Sequence, residues 1–250
     1  MKTDLTDTTF LMLVRIDSIK RLENILCVTD LLCKYFNTHI IIREADSYEN
    51  KILKTCLNKK VKYEFIKDKD PVLYLTSHHN QMLTSVETPY IAMWDADIVP
   101  DKNAIVKCVE YLRTKKADIT YPYDGKCYDV PASIRSLFFS QKNIRFLFRH
   151  INKMDSLYPY ILVGGAVIMN KEKFIQAGAD NEKHYGWGNE DFDRYYRFET
   201  LDYKIFRINT PLFHLSHPRG ENSDYQSNLY FNISRSEIKK YILDKMDTGS

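Results

Sequence analysis

Cysteine is scarce in this chain, and its spacing excludes two common structural uses. The 250 residues contain five cysteines, an odd number, and none of them forms a Cys-x-x-Cys pair. A disulfide framework and a zinc knuckle both need paired or closely spaced cysteines, so we predict neither. We expect reduced thiols, most of them buried in the core.

Long apolar runs and a strong net charge are also missing. No run approaches the ~20 apolar residues of a membrane span, and residues 1–9 are polar and carry both charge signs, unlike a signal peptide. The net charge of +3 is too small to indicate a nucleic-acid partner. The sequence therefore predicts a chain with no integral membrane segment and no nucleic-acid partner, located in the cytoplasm or peripherally at a membrane.

Strand-like and helix-like segments alternate through the first half of the chain. Short apolar runs typical of buried strands alternate with segments whose apolar residues recur at helical spacing, and the strand-like runs are 10–14, 38–42, 62–66 and 90–94. This alternation predicts an α/β fold with a mostly parallel central sheet flanked by helices. The second half is less regular, with predicted strands at 161–169 and 204–208 and predicted helices near 134–148, 192–201 and 233–247.

Polar side chains follow three of the predicted strands at their carboxyl ends. They occur at residues 15–17, 43–46 and 95–97. In open α/β sheets, ligands bind in the crevice outside the carboxyl ends of the strands. The three polar segments therefore predict a binding site along this edge of the sheet.

Asp95 and Asp97 end an apolar strand in which nothing else is charged. Paired oxygen ligands at a strand end can hold a divalent cation against a phosphate-bearing ligand. We predict that Asp97 binds the metal, and that Asp95 binds it through water or holds a sugar or ribose. A solvated acidic turn is the alternative for this pair alone.

Two histidines in a polar segment could complete the metal site. His214 is the predicted third ligand, and His217 is a further candidate. Imidazole suits Mn²⁺ better than Mg²⁺, so their participation favours manganese, with magnesium as the alternative cofactor. Both histidines could instead be ordinary surface residues.

Trp187 lies between two glycines and precedes Glu190 and Asp191. The glycines leave the indole ring unencumbered, and its face can stack on the apolar face of a sugar. The two carboxylates fall at a predicted helix start, where the helix dipole stabilises negative charge. The alternative is that Trp187 packs in the core and the acids only cap the helix.

These motifs together resemble the inverting GT-A fold glycosyltransferases, particularly the β-1,4-galactosyltransferase type and bacterial chondroitin-polymerase-like enzymes. Four blocks carry the resemblance in the family's order, at residues 14–17, 90–97, 164–165 with 186–191, and 214–222. The resemblance implies a single Rossmann-like GT-A domain over 1–250. Its nucleotide-binding half would span about 8–120, its acceptor and catalytic half about 121–222, and a C-terminal helix about 233–247.

The resemblance also implies a role for each matching residue. Asp191 would be the catalytic base, Asp97 and His214 would bind Mn²⁺, and Glu190 would bind donor or acceptor sugar. The remaining residues would line the donor site: Arg15 and Asp17 near the nucleotide, Glu44 and Asp46 by the uracil and ribose, His79 and Asn80 on the nucleotide, and Gly165 and Trp187 around the sugar.

The chain departs from the family pattern at three places. Asn189 stands where a glycine is frequent, Phe192 where the animal galactosyltransferases often have another acid, and His78, His79 and Asn80 replace an arginine-rich stretch. These departures bear on the identity of the donor sugar more than on the reaction.

The predicted function is transfer of a hexose or N-acetylhexosamine, first galactose or GalNAc, from a UDP-sugar to a glycan or lipid-linked glycan hydroxyl with inversion. A retaining transferase on the same fold and a nucleotide-sugar or carbohydrate-binding module without turnover remain as alternatives. A sugar-1-phosphate nucleotidyltransferase would require a glycine-rich loop after the first strand, and residues 15–18 hold no glycine.

Overall fold

The computed structural model describes residues 1–49, 51–218, 240 and 243–244. Within them the strands are β1 Thr3–Val14, β2 Phe36–Asp46, β3 Lys62–Lys67, β4 Tyr90–Trp94, β5 Ile98–Val99, β6 Ile119–Tyr121, β7 Cys127–Val130, β8 Asp155–Ser156, β9 Ala166–Asn170, β10 Ile205–Arg207 and β11 Leu212–Leu215.

The helices of the described residues lie between these strands. They are α1 Ile19–Tyr35, α2 Lys51–Cys56, α3 Leu75–Leu83, α4 Lys102–Arg113, α5 Ala132–Gln141, α6 Ile144–Arg149, α7 Lys171–Gln176 and α8 Glu190–Thr200. Side chains at the N-caps begin several of them, because they satisfy amide groups that have no partner within the helix. Ser18 accepts a hydrogen bond from the Arg21 amide at 3.3 Å, and Asp101 accepts one from Asn103 at 2.6 Å.

The larger sheet has seven strands in the order β10-β6-β9-β4-β1-β2-β3. β1 pairs in parallel with both β2 and β4, β2 with β3, and β6 with β10. Within the described part of this sheet, only β9 runs antiparallel to its neighbours, β4 and β6. The predicted α/β fold with a mostly parallel central sheet is therefore confirmed.

β1 lies near the middle of this sheet and forms the centre of the core. Phe10, Leu11 and Met12 are consecutive and at most 1% exposed, so both faces of the strand are covered. This is the reason the strand reads as a continuous apolar run rather than an alternating one.

A second, four-stranded sheet has the order β5-β11-β7-β8. β5 follows β4 after only Asp95, Ala96 and Asp97, so these residues connect the two sheets. The Trp94 indole spans the connection and donates to the Ile98 carbonyl at 3.0 Å, and the Asp95 amide donates to the Gly165 carbonyl at 2.9 Å. These two hydrogen bonds therefore fix the turn that carries Asp95 and Asp97.

Two predicted elements are shortened or divided by residues with positive φ. The predicted strand 161–169 begins only at Ala166, because Gly165 has a φ of 81°, which extended backbone does not allow. The predicted helix 134–148 is two helices, because Lys142 adopts a left-handed φ of 43° after α5. The predicted terminal helix 233–247 and the end of the acceptor half at 222 lie in the part of the chain that is largely outside the described residues.

Within the described residues, no helix combines the length and the apolar character that crossing a bilayer would require.

Candidate active site

A cleft opens at the carboxyl ends of β1 and β4, near the junction of the two sheets. It is the edge at which an α/β sheet is expected to bind its ligand. Residues from separate parts of the chain line it, among them Arg15, Asp17, Arg21, His79, Asp95, Asp97, Gly164, Gly165, Trp187, Glu190, Asp191, Arg194, His214 and His217.

Asp97, His214 and His217 form a cluster of metal-binding type on one side of the cleft. One ligand atom from each lies within 4.8 Å of the others. The Asp97 Oδ2 atom is 3.0 Å from His217 Nε2 and 3.8 Å from His214 Nε2. The cluster forms because β11 pairs with β5, which places His214 opposite Ile98 immediately after the acidic turn.

Both histidines present the same nitrogen to this cluster. His214 Nδ1 lies 2.7 Å from an oxygen of Asp129, and His217 Nδ1 lies 2.8 Å from the Pro218 carbonyl. Both partners are hydrogen-bond acceptors, so a neutral ring with its proton on Nδ1 would leave Nε2 free to offer a lone pair to a cation. An aspartate oxygen and two such nitrogens suit Mn²⁺ better than Mg²⁺, so the donor set fits the predicted ion.

The electrostatic environments of the two aspartates differ. Burial would raise the pKa of Asp97, but the neighbouring His214 and His217 outweigh it and lower that pKa. Asp95 opens into the cleft, where shielding from bulk water, followed by the Asp97 and Asp191 carboxylates, raises its pKa well above the usual value. The two neighbouring carboxylates therefore differ in pKa. A bound cation would reduce the repulsion between them.

The N-terminus of α8 forms the opposite side of the cleft. Gly186 and Gly188 have φ angles of 86° and 101°, and Asn189 follows with a left-handed φ of 68°. This backbone presents Trp187 to the cleft and starts the helix at Glu190, so the acids fall in its first turn as predicted. The departure at Asn189 has a structural reason, since asparagine adopts the left-handed conformation more readily than most residues.

Glu190 is buried, at 4% exposure, although it borders the cleft. Burial, followed by repulsion from Asp191, raises the pKa of Glu190 to about 8. Its Oε2 atom has no hydrogen-bond partner among the described residues. A buried carboxyl with an unsatisfied oxygen at the border of a cleft can donate a hydrogen bond to a bound ligand or accept one from it.

Asp191 is held more firmly than its place at a helix start requires. Arg194 donates to its Oδ1 atom at 2.6 Å. The other oxygen packs against the backbone of Gly164, where an added Cβ atom would lie 2.0 Å from Oδ2. A side chain at Gly164 would therefore displace the carboxylate.

Arg15, Asp17 and His79 reach the cleft, as the nucleotide-side prediction requires. Arg15 also braces the neighbouring loops, donating to the Ala45 carbonyl at 2.8 Å and to Asp68 at 3.0 Å. Asp17 pairs with Arg21 at 2.9 Å.

The structure does not bring Glu44, Asp46 or Asn80 to the cleft. Glu44 is fully buried and accepts a hydrogen bond from Tyr63 at 2.5 Å. Asp46 accepts from the Ser47 amide at 2.6 Å, and Asn80 donates to the Asp180 carbonyl at 2.8 Å. These side chains contact neighbouring protein groups, and their predicted place around the nucleotide stays a prediction.

Sequence reasoning missed Arg21, Asp129 and Arg194. Arg194 had a weak signal, since it lies three residues after Asp191 on a predicted helix and could therefore reach it. Asp129 had none, because only the register between β7 and β11 places it opposite His214.

Two comparisons with known proteins bear on the fold and on one segment of the chain. Residues 145–218 match a family model described as the N-terminal domain of galactosyltransferase. A crystal structure of GalNAc-T7 with UDP, GalNAc and Mn²⁺ is similar to the chain, with a TM-score of 0.57, 13% identity and 95% of this chain covered. The chain spans 48% of that structure's chain. No curated protein matches the sequence.

The similarity to that structure shows a fold of the GT-A type, and a galactosyltransferase family model matches one segment of the chain. The activity of the chain is taken up as a proposal below. The matched segment contains Asp191, Trp187 and both histidines of the cluster. The donor, the stereochemistry and the acceptor of this particular chain are a matter of proposal.

Proposed function

We propose that the protein is a metal-dependent, inverting glycosyltransferase that moves a hexose or N-acetylhexosamine from a UDP-sugar to a hydroxyl of a glycan or lipid-linked glycan. Galactose and GalNAc are the first donor candidates, since the matching family model and the similar structure bear those names. One observation carries the proposal. The Asp97, His214 and His217 cluster and the Asp191 carboxylate border one cleft, although they are far apart in the sequence.

Asp97, His214 and His217 would hold Mn²⁺. When bound there, the ion would neutralise the charge that develops on a departing diphosphate. Arg15, Asp17 and His79 border the same cleft and are proposed for the nucleotide side.

Asp191 is the proposed catalytic base. Because Arg194 engages Oδ1, we assign the proton of the acceptor hydroxyl to Oδ2. As that proton moves to Oδ2, the acceptor oxygen forms a bond to the anomeric carbon. The bond from that carbon to the diphosphate oxygen breaks, and its electron pair leaves with UDP. A single displacement of this kind inverts the anomeric centre.

Glu190 and Trp187 are proposed for the sugar site. With a pKa of about 8, the Glu190 carboxyl is largely protonated at neutral pH and can donate a hydrogen bond to a sugar oxygen. The partly exposed Trp187 ring can stack on the apolar face of the same sugar. Gly165 would allow the sugar to approach the backbone closely.

A thermal-shift panel of nucleotide-sugars with and without Mn²⁺ tests the donor and metal together. Because a ligand that binds only the folded state raises its melting temperature, we expect one UDP-sugar to stabilise the protein selectively, and only with the metal. Equal stabilisation by every nucleotide-sugar, or stabilisation independent of metal, would contradict the donor site proposed.

The Asp191→Asn variant tests the base. The amide keeps the shape of the side chain but cannot accept the proton, so we expect turnover to fall by roughly 10²–10⁴-fold while UDP binding persists. Near-normal turnover would remove Asp191 from the mechanism. NMR analysis of the product anomer separates inversion from retention, and donor binding without transfer or hydrolysis would indicate a binding module.

A further inference from the structure

Two arginines of α8 are buried, and they have different partners. Arg194 is 2% exposed and Arg197 is 0% exposed. Arg197 donates to Asp193 at 3.1 Å and to the carbonyls of Ala177 and Ala179. Arg194 instead joins two carboxylates, and one of them is the proposed base.

We propose that Arg194, anchored by Asp180, is a positioning residue that holds the Asp191 carboxylate in the orientation needed to take the acceptor's proton. The inference rests on the proposed function, because it assigns Asp191 the role of base. It adds two residues to the site that no sequence motif marks.

The Arg194 guanidinium has two fixed points. Its Nε atom donates to Asp180 Oδ1 at 2.8 Å, and its Nη1 atom donates to Asp191 Oδ1 at 2.6 Å. The group is planar and rigid, so fixing one edge on Asp180 determines where the other edge holds Asp191. Burying the charged guanidinium without such partners would destabilise the folded protein. The contacts with Asp180 and Asp191 therefore favour this one orientation of Arg194.

Asp180 is itself held in place by α3. Its Oδ2 atom lies 3.0 Å from His79 Nδ1, and its amide donates to the Asn80 side chain at 2.9 Å. The attractions of Arg194 and His79 outweigh burial and lower the pKa of Asp180 far below the usual value, so it stays ionised. A continuous set of bonds therefore runs from α3 through Asp180 and Arg194 to Asp191.

Gly164 confines the carboxylate from the other side. An added Cβ atom there would lie 2.0 Å from Asp191 Oδ2 and 2.7 Å from Cγ. The Asp191 side chain is thus fixed between the Arg194 guanidinium and the Gly164 backbone. A misplacement of a catalytic group by about 1 Å can cost about 10²-fold in rate, so this confinement has a kinetic consequence.

A matched pair of variants, Arg194→Lys and Arg197→Lys, tests the inference. Both keep the charge and remove the guanidinium fork from an equally buried site on the same helix. We expect Arg194→Lys to lower kcat for sugar transfer by about 10²-fold, with the donor KM and the Kd for Mn²⁺ unchanged. We expect Arg197→Lys to lose thermal stability but to keep its kcat.

An unchanged kcat in folded Arg194→Lys would overturn the inference, and so would an equal loss of kcat in both variants. If Arg194→Lys does not fold, Asp180→Asn provides the test, with a lower kcat and an unchanged Kd for Mn²⁺ expected. An unchanged kcat in Asp180→Asn would then overturn it. Failure of the proposed function is distinguishable, because the wild-type protein would then show no transfer with any UDP-sugar.

Discussion

At the scale of single residues, the sequence identified side chains with suitable chemistry, but it did not identify their hydrogen-bond partners. Asp97, His214 and Asp191 stand out because carboxylates and imidazoles at such positions suit a metal and a base. Their orienting partners, Asp129 and Arg194, are common residue types without a motif. Because the tertiary structure determines which side chains come within hydrogen-bond distance, these partners can be identified only from the structure.

The Asp129→Ala variant is predicted to weaken Mn²⁺ binding. Asp129 accepts from His214 Nδ1 at 2.7 Å, and its loss frees the ring to rotate or to change tautomer. Removing such a partner typically costs 10–100-fold in metal affinity, so we expect the Kd for Mn²⁺, measured by EPR titration, to rise by about that factor.

Asp155→Ala is the control for this prediction. Asp155 lies opposite Asp129 in the β7–β8 pair, so its removal changes the local charge without touching His214. We expect it to leave the Mn²⁺ affinity near that of the wild type. Equal affinities for Asp129→Ala and Asp155→Ala would show that the carboxylate does not orient the histidine.

At the scale of elements, the start of α8 shows what a sequence pattern can and cannot determine. The helix was predicted from residue 192, and the structure begins it at Glu190. The glycines at 186 and 188 indicated unusual backbone, and both have positive φ. The left-handed turn at Asn189 was not predicted, because few residue types other than glycine mark such a conformation.

Asn189→Val and Asn189→Gly are predicted to differ in stability. Valine is β-branched, so the left-handed conformation should destabilise Asn189→Val by roughly 1–2 kcal/mol. Glycine adopts this conformation freely and should remain close to the wild type. For a protein of this size, we expect Asn189→Val to melt about 2–8 °C below Asn189→Gly by calorimetry. Equal melting temperatures would mean that the turn relaxes when it is substituted.

At the scale of the whole molecule, the site forms where two sheets meet. The residues at 95–97 connect β4 to β5, and β5 pairs with β11, which brings both histidines to the acidic turn. The parallel sheet was predicted from the alternation of strands and helices. The second sheet was not, because strands as short as Ile98–Val99 have no periodicity from which they could be recognised.

The pH dependence of unfolding is predicted to reveal the buried Glu190. Its folded pKa of about 8 lies above the unfolded value of about 4.3, so the folded state binds more protons between these values. By linkage, the contribution of Glu190 to stability falls as pH rises through this window, by up to about 1.4 kcal/mol per pH unit. In metal-free protein, the difference in melting temperature between Glu190→Gln and the wild type should therefore shift in favour of the variant as the pH rises from 5 to 8.

Glu87→Gln is the control for this pH prediction, since the side chain of Glu87 is exposed. It should follow the wild type across the same range in calorimetry. A constant difference between Glu190→Gln and the wild type would mean that Glu190 ionises in the folded protein as it does in the unfolded chain.

The sequence by itself determined the α/β class, the carboxyl-end location of the site and the residues suited to a metal and a base. Local hydrophobic spacing and residue chemistry carry that information, and both are properties of short stretches of chain. Tertiary structure alone decided that Glu44, Asp46 and Asn80 do not line the cleft, and that Arg194 and Asp129 contact Asp191 and His214. Those outcomes depend on strand register and side-chain packing between segments distant in sequence, which no short stretch encodes.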